Sequence, residues 1–169
     1  MNGVDAPTGR PRWLTLDGAV VGDVMLRHPK TLPANASLEQ ARAVLDDDHV
    51  HMVLLTDDTG VLVGTVVRTD LPPAGTSGPA QAWSRLAGRV VSADQPVERT
   101  FRIPGRRAAR RLAVVDRDGT LVGLLCLNRR RTGFCSEADV AARSRARDSA
   151  PPVVERRDTG RVPGGVADG

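Results

Sequence analysis

The chain has 169 residues, 40% of them hydrophobic but only 2% aromatic, with no tyrosine and two cysteines. That length suits one domain or two very small ones with a core of Val, Leu and Ala, and the scarcity of rings argues against stacking on nucleic-acid bases. The formal net charge of +4 is unevenly spread: residues 1–98 hold 8 Lys+Arg against 12 Asp+Glu, and residues 99–169 hold 16 against 8. No apolar run reaches the ~18–20 residues of a membrane span. The opening MNGVDAPTGRPR lacks the apolar stretch of a secretory leader, so a cytoplasmic location is expected. Two cysteines are too few for a disulfide scaffold, and reduced thiols are expected. The basic half either attracts phosphates, an acidic partner or anionic lipid, or is simply an arginine-rich solvated surface.

In chain order, residues 1–19 read as a loose N-terminal extension, within which Trp13 to Leu16 form a short strand or an anchoring contact. Gly22 to Arg27 read as a short helix, and Thr31-Leu32-Pro33 as a short extended piece. Ser37 with Gln40 three residues on is a capping box. Leu38, Ala41, Val44 and Leu45 then follow at helical spacing, and Asp46 to Asp48 close the pattern unfavourably for the helix dipole. Val50 to Leu55 is a β-rich run, Asp57 to Gly60 a polar turn, and Val61 to Val67 a second strand, which together predict a hairpin. Residues 73–80 have linker composition, and Gln81 to Leu86 read as a helix leading into the second half of the chain. Pro104-Gly105 should bend or split the next helix. The basic run Arg106 to Arg111 leads into a strand over Leu112 to Val115, a second polar turn, and a last strand over Leu121 to Leu127. Ser136 to Asp139 signal a helix running to about Arg147, and residues 148–169 have the composition of a disordered tail.

The pattern is duplicated. At an offset of 59, Val97 falls on Leu38 and Ile103 on Val44, and DRDGTLVG falls on DDTGVLVG with five identities in eight positions. A common hairpin explains the turn alone; it does not explain a helix and flanking strand at the same offset. The expected organisation is a first β-α-β-β-α repeat at 20–72, a linker at 73–80 and a second repeat with a C-terminal helix at 81–147.

The residues GDVM, P-x-T-L-P, S-L-x-x-A, HVHMVLLTD and G-x-L-V-G-T-V-V-R-T-D-L of the first copy, and ARRLAVVDRDGTLVGLL of the second, resemble the CBS domain, which normally occurs as a tandem pair, the Bateman module. The resemblance spans roughly residues 20–132. It implies an α+β fold in which two repeats pack by their sheets around a pseudo-two-fold axis, with two clefts between them. It further implies a homodimer and a regulatory role, in which an adenosine-type ligand (AMP, ADP, ATP or S-adenosylmethionine) modulates an unidentified partner protein. Such coupling requires different ligand affinities in two conformations.

In ligand-binding members of that family the strand-to-helix turn reads Gly-x-x-(Thr or Ser)-x-x-Asp, the acid holding ribose hydroxyls and the hydroxyl meeting phosphate. A carboxylate suits a vicinal diol because it accepts two hydrogen bonds at once. The first copy has Gly64, Val67 and Asp70 at these positions, so the acid is present and the hydroxyl is not; Thr69 is nearby but faces differently. The second copy has Gly123, Cys126 and Arg129, where a base replaces the acid and could meet a phosphate. By family analogy Thr31, Val50, His51 and Met52 line the first cleft, and Arg110 and Arg129 join the candidate ligand contacts. The alternatives are a helix-capping role for Asp70 and ordinary strand packing for Thr31, Val50, His51 and Met52.

His49 and His51 alternate on a strand and so point the same way. With Cys126 and Cys135 they could complete a zinc tetrad, but the cysteine spacing is wrong for one, and no metal or cofactor is expected. His49 is read instead as a cation at the helix end, and His51 as an edge of the cleft. His28 has no evident partner. Cys126 and Cys135 could pair as a disulfide only if their Cα atoms lie within ~7 Å. No nucleophile-elbow serine, phosphate loop or suitably spaced carboxylate pair is present, so an enzyme is not expected. Two other readings stay open: a degenerate pair serving only as a dimerisation or protein-interaction module, and, less favoured, a nucleic-acid-associated basic protein.

Overall fold

The computed structural model describes residues 18–101, 110–128 and 133–148. The expected strand at Trp13 to Leu16, the break at Pro104-Gly105, Arg129 itself and all but the first residue of the tail fall outside them. The described elements are α1 (Val21–Val24), β1 (Thr31–Pro33), α2 (Leu38–Leu45), β2 (Val53–Thr56), β3 (Leu62–Val66), β4 (Val90–Ser92), α3 (Val97–Phe101), β5 (Arg111–Val115), β6 (Leu121–Cys126) and α4 (Glu137–Asp148). Single 3-10 turns occupy Arg68–Asp70 and Ala80–Trp83.

The fold is α+β, with two three-stranded sheets ordered β1-β2-β3 and β4-β5-β6, each with a parallel and then an antiparallel pairing. The duplication is visible strand by strand. Thr31 pairs with Leu54 and Val90 with Ala113, and the register slips after Leu55 in one hairpin and after Val114 in the other. Each turn is built the same way: Asp57 Oδ1 accepts from the Thr59 and Val61 amides, and Asp116 Oδ1 from the Asp118 and Thr120 amides. Gly60 and Gly119 take left-handed φ values of 86° and 82° to close them, which only glycine does at no steric cost. The two hairpin tips meet, Leu62 N–H donating to Gly119 O and Leu121 N–H to Gly60 O.

The leading segments cross over. The segment before β1 belongs in sequence to the first copy, yet Val21 and Gly22 donate to Gln95 O and Ala93 O, and Leu26 exchanges backbone hydrogen bonds with Leu124 on β6. The equivalent segment before β4 packs on the first sheet, where Arg85 exchanges backbone bonds with Thr65 on β3. This explains the glycines inside both edge strands. A Cβ on Gly123 would stand 2.5 Å from Leu26 O, and one on Gly64 would overlap Ser84. Each copy is therefore completed by the other's leading segment, and Ala80 is buried in the core formed by Ala41, Leu45, Val53, Leu55 and Val66. A separate apolar layer of Met52, Leu54, Leu62 and Ala113 joins the two sheets.

Local departures from the expected elements have local causes. β2 starts at Val53, because the Val50 amide closes a turn onto Asp47 O. The expected helix at Gln81 to Leu86 is one 3-10 turn, since Arg85 is drawn into pairing with β3. The capping box at Ser37 and Gln40 forms in both directions. A cation does complement the end of α2, but it is Arg68 and not His49. Arg68 Nε donates to Leu45 O at 2.8 Å and its terminal nitrogen to Asp47 O at 2.9 Å. It also lies 3.8 Å from Asp48, which relieves the acidic run at that helix end.

Candidate functional site

A cleft of about 170 Å³ opens between the copies. Its floor is apolar, made by Leu26, Met52 and Leu124, and its wall is cationic, with Lys30 from before β1, Arg111 at the start of β5 and Arg143 on α4. His28, His49, Val50 and His51 from the first copy face Cys126, Cys135 and Val140 from the second. Among the described residues Asp47 is the one carboxylate in the lining. α4 is tied to the first copy at this cleft. Glu137 Oε1 accepts from the Arg27 amide at 2.8 Å and lies 3.2 Å from His28 Nδ1, so His28 does have a partner.

His51 is neutral at neutral pH. Burial, followed by the charges of Arg111, Arg68 and Arg110, pushes its imidazole down to about 4. Its Nδ1 lies 3.4 Å from the Arg68 guanidinium, which suits an unprotonated nitrogen. Arg110 sends one terminal nitrogen to Leu127 O at 3.5 Å, while its buried Nε has no hydrogen-bond partner among the described residues.

Asp70 lies elsewhere. Its Oδ2 accepts from the Val67 amide at 2.9 Å, the capping alternative to a ribose contact. The same carboxylate takes two hydrogen bonds from Arg89, at 2.5 and 2.9 Å, and sits 3.7 Å from Arg85. Its side chain is only 4% exposed. Burial alone would raise its pKa, but the hydrogen bonds from Arg89 and Val67 and the two arginine charges hold it below the usual carboxylate range. Val67 packs in the layer between the sheets, and Thr31 and Thr69 are exposed.

The expected grouping is thus divided. Val50, His51 and Met52 stand together in the open cleft, whose second-copy wall carries Cys126, the counterpart of Val67. Asp70, Val67 and Thr69 stand at the pseudo-equivalent place, which Arg89 enters. The offset of 59 that relates β1 to β4 makes Lys30 the counterpart of Arg89. Lys30, Arg111 and Arg143 escaped the sequence reading; the duplication offset was the signal that could have found Lys30.

Among the described residues no group of His, Cys, Asp and Glu could hold a metal ion, and His49 and His51 do not join the cysteines in one. Cys126 and Cys135 are nevertheless neighbours. The Cys135 amide donates to Cys126 O at 2.7 Å, and the two sulfurs are 2.8 Å apart. No described helix is long and apolar enough to cross a membrane.

The two crossed β-α-β-β units with a cleft between them define a tandem α+β architecture. Residues 21–71 match the CBS domain family. Solved structures agree over most of the chain. CBSX2 of Arabidopsis thaliana in complex with AMP is 24% identical, with a TM-score of 0.56 over 77% of this chain and 99% of that one. The CBS domain pair of protein MJ0100, in complex with 5′-methylthioadenosine and S-adenosyl-L-methionine, is 17% identical, with a TM-score of 0.53 over 76% and 98%. The cytosolic domain of the Mg2+ channel MgtE in complex with ATP is 22% identical, with a TM-score of 0.54 over 64% of this chain and 46% of that one. No curated protein matches the sequence. The family match covers residues 21–71, and the described residues have the fold of a CBS pair.

Proposed function

We propose that this chain is a regulatory, non-catalytic CBS pair that senses a phosphate-bearing adenosine ligand and modulates a partner protein as a cytoplasmic homodimer. The observation that carries the reading is the composition of the open cleft: Lys30, Arg111 and Arg143 around an apolar floor, with a single acid among the described residues. An apolar floor suits a base, and a converging set of cations suits phosphate. AMP, ADP and ATP fit this charge better than S-adenosylmethionine, whose sulfonium is itself a cation. The ligand is moved from Asp70 to this cleft because the Asp70 carboxylate is already held by Arg89.

Calorimetric and thermal-shift titration with AMP, ADP, ATP and S-adenosylmethionine tests it. A ligand at 100 times its dissociation constant adds about 2.7 kcal/mol to the folded state. Arg111→Ala should weaken nucleotide binding about 10-fold or more, and Asp70→Asn should leave the affinity unchanged. A second reading, a pair serving only as an interaction module, draws on the exposed Trp83 and Leu86 on one segment. Silence across the four ligands, with the protein folded, would favour it.

A further inference from the structure

Cys126 ends β6, and Cys135 lies just before the helix cap of α4. Leu127 and Phe134 form an antiparallel bridge, so Cys126 and Cys135 are the next facing pair, joined by the 2.7 Å backbone hydrogen bond. Facing residues of antiparallel segments have Cα atoms ~4.5–5.5 Å apart, within the range a disulfide spans. Both line the cleft, beside Arg111 and Arg143. They are the only two cysteines of the chain.

We propose that Cys126 and Cys135 form a reversible dithiol/disulfide pair, oxidised by hydroperoxide, that sets the charge of the cleft. Cys135 is the reacting thiol. The hydrogen bond from Cys126, then Arg143 and Arg111, outweigh its burial and bring it down to about 6, while Cys135 and burial push the Cys126 thiol up. The Cys135 thiolate attacks one peroxide oxygen and the O–O bond breaks. The departing hydroxide takes a proton to become water and leaves a sulfenic acid. Cys126 sulfur then attacks Cys135 sulfur, the S–O bond breaks, and the Cys126 proton leaves with the hydroxyl as a second water. The sulfurs lose two electrons and the peroxide gains two.

The reduced pair places a thiolate against Arg111 and Arg143. The disulfide is neutral, so oxidation frees both cations for an anion. It also ties the start of α4, whose Val140 and Arg143 form one side of the cleft, to β6. The coupling to an anionic ligand rests on the proposed nucleotide cleft; the disulfide does not. By reciprocity, a bound anion favours the disulfide at equilibrium by the same factor that oxidation favours the anion.

The test is graded hydrogen peroxide on the full chain, followed by alkylation and intact-mass measurement with and without dithiothreitol. A monomer lighter by two hydrogens and restored by dithiothreitol is expected. In Cys126→Ser, Cys135 should accumulate as a dimedone-trapped sulfenic acid; in Cys135→Ser, Cys126 should resist the same peroxide dose. In the untreated wild type at neutral pH, Cys135 should alkylate about 10-fold faster than Cys126. A disulfide found only between chains, or equal alkylation of both thiols, would overturn the proposal. AMP should bind the oxidised form about 5-fold tighter than the reduced one, and equal or weaker binding would overturn the coupling. No binding of AMP, ADP or ATP in either form would overturn the cleft reading and the coupling together, with the disulfide still judged by mass.

Discussion

The open cleft of this chain and the pseudo-equivalent place at Asp70 share one backbone plan and differ in their electrostatics. At the turn after β3 an acid, Asp70, is closed over by Arg89 and Arg85. At the pseudo-equivalent place after β6, Lys30 stands where Arg89 stands, and the facing wall is Cys126 with Arg111 beside it. The first arrangement is satisfied internally and offers a ligand little. The second gathers cations without enough acid to neutralise them, and so has something to gain from an anion. Duplication preserved the parts that hold the sheets together and left the clefts free to diverge.

The sharpest way to break this comparison is to remove Asp70. If that carboxylate is structural, Asp70→Ala leaves the half-buried Arg89 without its carboxylate and should cost about 3 kcal/mol in a urea melt, with nucleotide affinity intact. Loss of binding without loss of stability would return the ligand to Asp70. The acid limb gives an independent check. The folded pKa of Asp70 is depressed, so its stabilisation is complete above about pH 4 and disappears as pH falls through the folded value. Asp70→Asn should flatten that limb.

The shared scaffold is probed by Gly64→Ala and Gly123→Ala. Each added Cβ meets the crossing segment of the other copy, and overpacking there should cost about 2 kcal/mol at either site. A large effect at one and none at the other would show that the crossover is not equivalent in the two halves. Arg68→Ala tests a feature the copies do not share, since position 127 is leucine. Losing its bonds to Leu45 O and Asp47 O should cost about 1 kcal/mol in the same melt.

The smallest expected effect is on pH dependence. His51 is held down to about 4 by burial and by Arg111, Arg68 and Arg110. The unfolded chain takes up this proton nearer pH ~6.5, so His51 withdraws stability as pH falls from there toward the folded value. A bound anion opposes the arginine charges and raises the His51 pKa. Binding then takes up protons, and nucleotide affinity should tighten modestly as pH is lowered from neutral. His51→Gln should remove that slope, and a slope of opposite sign would place the anion away from His51.

Features determined by near neighbours were open to the sequence. The capping box at Ser37 and Gln40, the Asp57 and Asp116 turns, the strand periodicities and the offset of 59 depend on residues a few positions apart or on a repeat that sequence comparison exposes. They determined the paired α+β architecture. Tertiary structure alone decided which partner each segment completes and which charges meet. Gly22 to Leu26 reads as part of the first copy and pairs with the second. Arg89 reaches Asp70 across 19 positions, Arg68 replaces His49 at the end of α2, and Cys135 returns beside Cys126. Hydrogen bonds and ion pairs act over a few ångströms whatever the distance along the chain. An acid that the sequence resemblance puts at a ribose-binding position could therefore be closed off by an arginine whose arrival only the fold reveals.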